Sequence, residues 1–188
     1  NCFYKYTSGV KEYFDFKTST YKPIDMPSDT LSFEIVYENN NLIRRNWSAS
    51  VFDLGDEVAG VEFHSALKKE LNPIDGSILQ TLDYALDWVS ENNYKGLVIS
   101  GDGPNFCAGA NLNMILAMAE RKDWDSINQV TALMQNIMQK IRFSNFPVVA
   151  APYGLVLGGG FETIGACDRI VAAAESYIGL VEVGVGLI

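Results

Sequence analysis

Two short apolar runs, each followed by a glycine-rich turn and then a helical stripe, constrain this chain more than anything else in it. Leu97-Val98-Ile99 leads into the small-residue turn 101–110, and Pro147-Val148-Val149-Ala150-Ala151 leads into the turn 154–160. Short, β-branched, uninterrupted runs read as strands buried on both faces. Helical spacing follows each turn. Residues 112–120 read as one helix and 124–142 as a longer one, with Ile127, Val130, Met134, Ile137, Met138 and Ile141 on one stripe. A short helix including Glu162 and Ala166 follows the second turn, then a strand at Arg169-Ile170-Val171-Ala172. Strand, turn and helix in repetition predict an α/β layer with parallel strands.

The flanking segments fit that frame. Residues 75–92 carry Ile78, Leu79, Leu82, Ala85, Leu86 and Val89 at helical spacing, with Asp75 as N-cap after Pro73. Residues 47–54 and 57–63 alternate around Gly55-Asp56 and predict a β-hairpin. Asn39-Asn40-Asn41 reads as a loop. Residues 1–28 are aromatic and polar, end in Pro23 and Pro27, and predict a short hairpin or an extended linker.

The 188 residues suffice for one domain with a real core. A net charge of −9 sets the surface against nucleic acid and anionic membrane, so neither is an expected partner. An anionic substrate then needs a local basic patch or backbone amides. Cys2, Cys107 and Cys167 form no CxxC pair and leave one odd, which favours a reducing compartment and no structural zinc. His64 is the only histidine, read as a strand-end or loop residue, and no metal site is expected. The chain opens at Asn1 and stops at Gly186-Leu187-Ile188; both ends read as cut from a longer protein.

Each glycine turn, taken singly, is also a tight connection where only glycine fits. Taken together they end buried strands, where ligands of open α/β sheets bind. Two N–H groups, one from each turn, can grip a carbonyl oxygen that becomes negative during reaction. Neither Gly101-x-Gly103 nor Gly158-x-Gly160 completes a dinucleotide fingerprint. Glu162 follows Gly158-Gly159-Gly160 directly, among Phe161, Ile164 and Ala166. Glu182 follows Gly179-Leu180-Val181, beside Val183. Two such glutamates suit an acid and a base whose pKa values a water-poor pocket pulls apart. Glu162 is equally a first-turn acid favoured by the helix dipole, and Glu182 a solvent-facing charge. Asp168 reads as an ion-paired structural residue beside Arg169.

Asn105 to Ala110, Ala150 to Glu162 and Ile178 to Glu182 resemble, in this order and spacing, the crotonase (enoyl-CoA hydratase/isomerase) superfamily. The resemblance covers roughly residues 47–188. It implies an α/β spiral of ββα units of the crotonase type, truncated at its C-terminus, and a coenzyme A thioester as substrate. It implies an oxyanion hole from the N–H groups of Ala110 and Gly159, with Ala108, Gly109, Gly158 and Gly160 close to the substrate. Glu162 and Glu182 match the two carboxylates of the hydratases; relatives that only isomerise a double bond commonly keep the second. Hydration of a 2-enoyl-CoA is therefore expected, with isomerisation or non-catalytic acyl-CoA binding as alternatives. Hydration itself needs no cofactor.

Trp47 to Gly60, Asn105 to Leu112 and Tyr177 to Ile188 further resemble the last region of bacterial bifunctional proteins that carry an NAD-dependent 3-hydroxyacyl-CoA dehydrogenase first. That resemblance implies residues 1–28 as the joining stretch, residues 29–188 as an incomplete crotonase-like core, and NAD only in the dehydrogenase part. It also implies a cytoplasmic, trimer-based homo-oligomer in contact with the dehydrogenase domain. The usual Asp after Gly-Ala is Asn111 here. Lys68 and Lys69 are candidates for the coenzyme phosphates, or a solvated face. The apolar helix from Met114 to Met118 reads as core packing, as the wall of an acyl tunnel, or as a face packed on another domain or subunit.

Overall fold

The computed structural model describes residues 3–7, 10–24, 33–101, 103–184 and 186. Strands β1 (Tyr4–Thr7), β2 (Val10–Asp15) and β3 (Thr20–Pro23) form an antiparallel meander, one strand more than the expected hairpin. Aromatic edges hold it: Phe14 meets Phe16 and Tyr21 with ring centroids 5.3 and 5.2 Å apart. The expected end of this stretch at Pro27, and Cys2, lie outside the described residues.

Helix α1 (Phe33–Glu38) and strands β4 (Leu42–Arg45), β5 (Ala49–Asp53) and β6 (Val58–Phe63) follow. β5 and β6 are the expected hairpin, pairing Val51 with Val61. Helix α2 (Gly76–Glu91) then buries every one of the apolar positions read from its spacing. Each buried Ile, Leu and Val among them contributes roughly 1.5–3 kcal/mol through its removal from water, and Ala85 less. Asp75 caps the helix, its Oδ1 accepting from the N–H of Ile78 at 2.9 Å.

Strand β7 (Gly96–Gly101), helices α3 (Leu112–Glu120) and α4 (Trp124–Arg142) and strand β8 (Val148–Ala150) come next. Strand β9 (Leu155–Leu157), helix α5 (Gly159–Ala166), strand β10 (Arg169–Ile170) and strand β11 (Tyr177–Gly179) complete the described elements. One sheet runs β10-β8-β7-β6-β5-β4. Its β6, β7, β8 and β10 are parallel neighbours, as the repeating pattern requires. Among the described residues no helix is long and apolar enough to cross a membrane.

Three expectations change. The turn 154–160 contains β9, which pairs in parallel with β11 as a second small sheet. Asp168 is structural, but by clasping backbone: its Oδ2 accepts from Val148 N–H at 2.8 Å and its own N–H donates to Val148 O at 2.9 Å. Helix α3 is not core packing, because none of its residues is buried.

Candidate active site

Backbone pairing draws the two glycine turns together. Cys107 N–H donates to Leu155 O at 3.0 Å, and Leu157 N–H returns to Cys107 O at 2.9 Å. On the other side, Ile74 N–H donates to Gly109 O at 2.8 Å and Asn111 N–H donates to Ile74 O at 3.1 Å. Ala110 is the bridged residue between those two bonds, so its own N–H points the opposite way. It donates to no described acceptor. Gly159 opens α5 and, as first residue of a helix, has no intrahelical acceptor either. Ala110 N lies 3.5 Å from where a Cβ on Gly159 would stand. Among the described residues these two N–H groups have no acceptor, and they lie near one another, one from each turn.

The glycines have separate tasks. Gly158 has φ of 50°, and a Cβ there would meet Glu182 Oε1 at 3.0 Å. At Gly160 a Cβ would meet Cys107 O at 2.5 Å, so its lack of a side chain serves the packing of one turn on the other, and it does not line the cavity at this junction.

A cavity of about 130 Å³ opens on this junction. Glu162, Glu182, Ala108, Gly109, Ala110, Gly158 and Gly159 all line it. Every candidate of the two turns except Gly160 is therefore brought to one space. Leu112 and Ile115 of α3, Met134 of α4 and Val181 supply apolar walls. Glu162 is exposed and Glu182 half-buried, so the described residues leave the cavity wetter than the water-poor pocket expected. Glu162 N–H donates to Gly158 O at 3.0 Å, which fixes this glutamate in the first turn of α5.

The two lysines lie elsewhere and apart. Lys68 borders an open cavity of about 390 Å³ with Pro73, Asn111 and Met114. Lys69 borders another, of about 370 Å³, with Arg45, Trp47 and His64. His64 follows β6 as expected, with Nε2 at 2.7 Å from Ser50 Oγ, and burial holds its pKa below the ordinary range. Among the described residues no group of His, Cys, Asp and Glu side chains is clustered for a metal ion.

Spacing alone did not find Met134 as a site residue. Its helical stripe placed it with Ile137 and Ile141, which are buried, but its methyl ends against Gly159. Asn111 keeps an acceptor role, its Oδ1 taking the N–H of Met114 at 3.4 Å as cap of α3.

Residues 55–188 match the family described as Enoyl-CoA hydratase/isomerase. A Bacillus subtilis (strain 168) protein named "Probable 3-hydroxyacyl-CoA dehydrogenase" is 42% identical over 186 residues, covering 99% of this chain and 23% of that protein. The "Fatty acid oxidation complex subunit alpha" of Aliivibrio fischeri (strain ATCC 700601 / ES114) is 32% identical over 149 residues, 77% of this chain and 21% of its own length. The crystal structure of enoyl-CoA hydratase from Bacillus anthracis superposes with a TM-score of 0.66 at 27% identity, covering 75% of this chain and 53% of that one. That of enoyl-CoA hydratase from Thermoplasma volcanium GSS1 also gives 0.66, at 28% identity, covering 75% and 54%. The chain thus spans under a quarter of these two curated relatives and just over half of these two solved chains. The family match runs through both glycine turns and both glutamates, and the fold agrees with it: the chain belongs to the enoyl-CoA hydratase/isomerase family.

Proposed function

We propose that this chain adds water, syn, across the 2,3 double bond of an enoyl-CoA to give the 3-hydroxyacyl-CoA. The observation that carries this reading is the single cavity shared by Glu162, Glu182 and two N–H groups from separate turns that have no acceptor among the described residues. The N–H groups of Ala110 and Gly159 donate to the thioester oxygen, which draws electrons from the β-carbon. Glu162 holds a water and takes its proton as the hydroxyl attacks that carbon. Glu182 delivers a proton to the α-carbon. The two carboxyl groups then regain their starting states by exchange with solvent. A lost oxyanion donor costs about 10²–10³ in rate, and positioned acid–base help is worth about 10²–10⁴. Isomerisation needs only the second glutamate, so the placement of Glu162 in the same space favours hydration.

Lys68 and Lys69 are the cations offered to the coenzyme phosphates, each at the cavity it borders. The relatives' names support a 3-hydroxyacyl-CoA dehydrogenase in the same protein, oxidising the product with NAD. NAD has no part in the hydration. Residues 29–188 are the crotonase-like unit, residues 1–28 the joining stretch, in a cytoplasmic trimer-based assembly.

The test is loss of enoyl absorbance from crotonyl-CoA, with Glu162→Gln beside the parent. A fall of about a hundredfold or more is expected. Equal rates remove the role given to Glu162.

A further inference from the structure

Beside the reaction cavity lies a second chamber of about 100 Å³. Ile74, Leu79, Met114, Val130 and Leu133 bound it, and Ala110, Ile115 and Met134 line both spaces. The polar side chains on its edge are committed within the fold. The Asp75 carboxylate accepts from Ile78 N–H and from the Ser48 hydroxyl, and Asn111 Oδ1 accepts from Met114 N–H. A space lined this way offers little to a polar ligand and suits hydrocarbon.

Met134 stands at the division. Its Cε lies 2.8 Å from where a Cβ on Gly159 would stand, so the thioether ends on the turn that carries the Gly159 N–H. Methionine is unbranched, with a soft sulfur that adapts to irregular space. Met134 is half-buried and leans on the core, but on the α3 side the seam is thinly packed: α4 fully buries only Ile137 and Ile141, and α3 buries nothing. Few buried contacts oppose a change of rotamer there.

We propose that Met134 is a movable partition between the reaction cavity and this chamber, and that it sets the acyl chain length the site accepts. The proposal rests on the hydration reading, in which the thioester head sits between Ala110 and Gly159. A short acyl group ends before the partition. A longer one turns the methionine aside and buries its outer methylenes between α3 and α4.

Two measurements decide it. The first is kcat/KM for hydration of four-, eight- and twelve-carbon 2-enoyl-CoA by the parent, Met134→Ala and Met134→Phe, each checked for folding by circular dichroism. The ratio of twelve- to four-carbon turnover should rise about tenfold in Met134→Ala and fall by a similar factor in Met134→Phe. Unchanged ratios in both folded variants overturn the partition, while four-carbon turnover in the parent keeps the hydratase reading alive. A parent that hydrates no enoyl-CoA sinks that reading instead. The second measurement needs no turnover: the Kd of saturated acyl-CoA thioesters of the same lengths. Two added methylenes should tighten binding roughly tenfold until the chamber is full, and Met134→Phe should flatten the series. A series already flat in the parent overturns the proposal.

Discussion

Glu182 Oε1 lies 3.0 Å from the point that a Cβ on Gly158 would occupy, and Gly158 has φ of 50°. One residue thus gives the turn its shape and the carboxylate its room. Gly158→Ala strains the backbone by about 1–3 kcal/mol and pushes Glu182 aside. Hydration of crotonyl-CoA should fall at least about tenfold, with a lowered melting temperature. Gly165, where a Cβ would meet nothing within 4 Å, is the control. Gly165→Ala, inside α5, should be neutral to about 1 kcal/mol stabilising, with turnover kept. If Gly158→Ala turns over like the parent, the turn does not position Glu182.

Burial pushes the thiols of Cys107 and Cys167 up to about 12 from an ordinary value of 9.0. The folded chain holds these protons after the unfolded chain has released them. Stability is therefore full below pH 9 and falls between pH 9 and 12, by about 1.4 kcal/mol per pH unit for each thiol. Urea unfolding at pH 8 and pH 10 should show the loss, and it should shrink in the double variant Cys107→Ala, Cys167→Ala. The same pH dependence in both proteins would assign it to other groups.

Asp75 serves two partners at once. Its Oδ1 caps α2 through Ile78 N–H at 2.9 Å, and its Oδ2 accepts the hydroxyl of buried Ser48 at 2.5 Å. Asp75→Ala removes a cap worth about 1 kcal/mol and strands a buried hydroxyl at about 1–3 kcal/mol more. Asp75→Asn keeps the reach and one acceptor oxygen for the Ile78 N–H, turning its amide NH2 as a donor toward Ser48 Oγ, and should cost less than Asp75→Ala. Chemical denaturation of the three proteins checks the order; equal losses for Ala and Asn would show that the carboxylate's second acceptor and charge, not the cap of α2, carry the effect.

The readable parts of this chain were those whose signal is local. Helix α2 shows its cap and its whole buried stripe in one window, and the β5–β6 hairpin shows its alternation about Gly55-Asp56. The glutamates were legible as a pair because the glycines announce close approach. What approaches was not legible: Gly158 clears Glu182, whereas Gly160 clears the carbonyl of Cys107. β9 and β11 have three residues each, too few for a period, and they pair across the length of α5. Lys68 and Lys69 are adjacent in sequence yet border different cavities. Met134 shares the spacing of Ile137 and Ile141, but the neighbour that makes it a cavity wall, α3, belongs to another element altogether.

Asn111 tests how much of the family's pattern depends on charge. Met114 N–H is shared between Asn111 Oδ1 at 3.4 Å and Asn111 O at 3.1 Å, so the side-chain bond is long and only part of the cap. An aspartate keeps the acceptor and adds a negative charge to the N-terminus of α3, worth about 0.3–1 kcal/mol. Charge also shortens and strengthens such a bond. Asn111→Asp should therefore raise the urea midpoint, and the gain should shrink in high salt as the field is screened. Asn111→Ala should lower the midpoint by up to about 1 kcal/mol in stability. The same position borders the chamber behind Met134. A charge there opposes burial of hydrocarbon, so Asn111→Asp should weaken binding of twelve-carbon acyl-CoA more than four-carbon acyl-CoA. Variants that both unfold with the parent would show that the backbone bond alone starts α3 and that the amide has no energetic part in it.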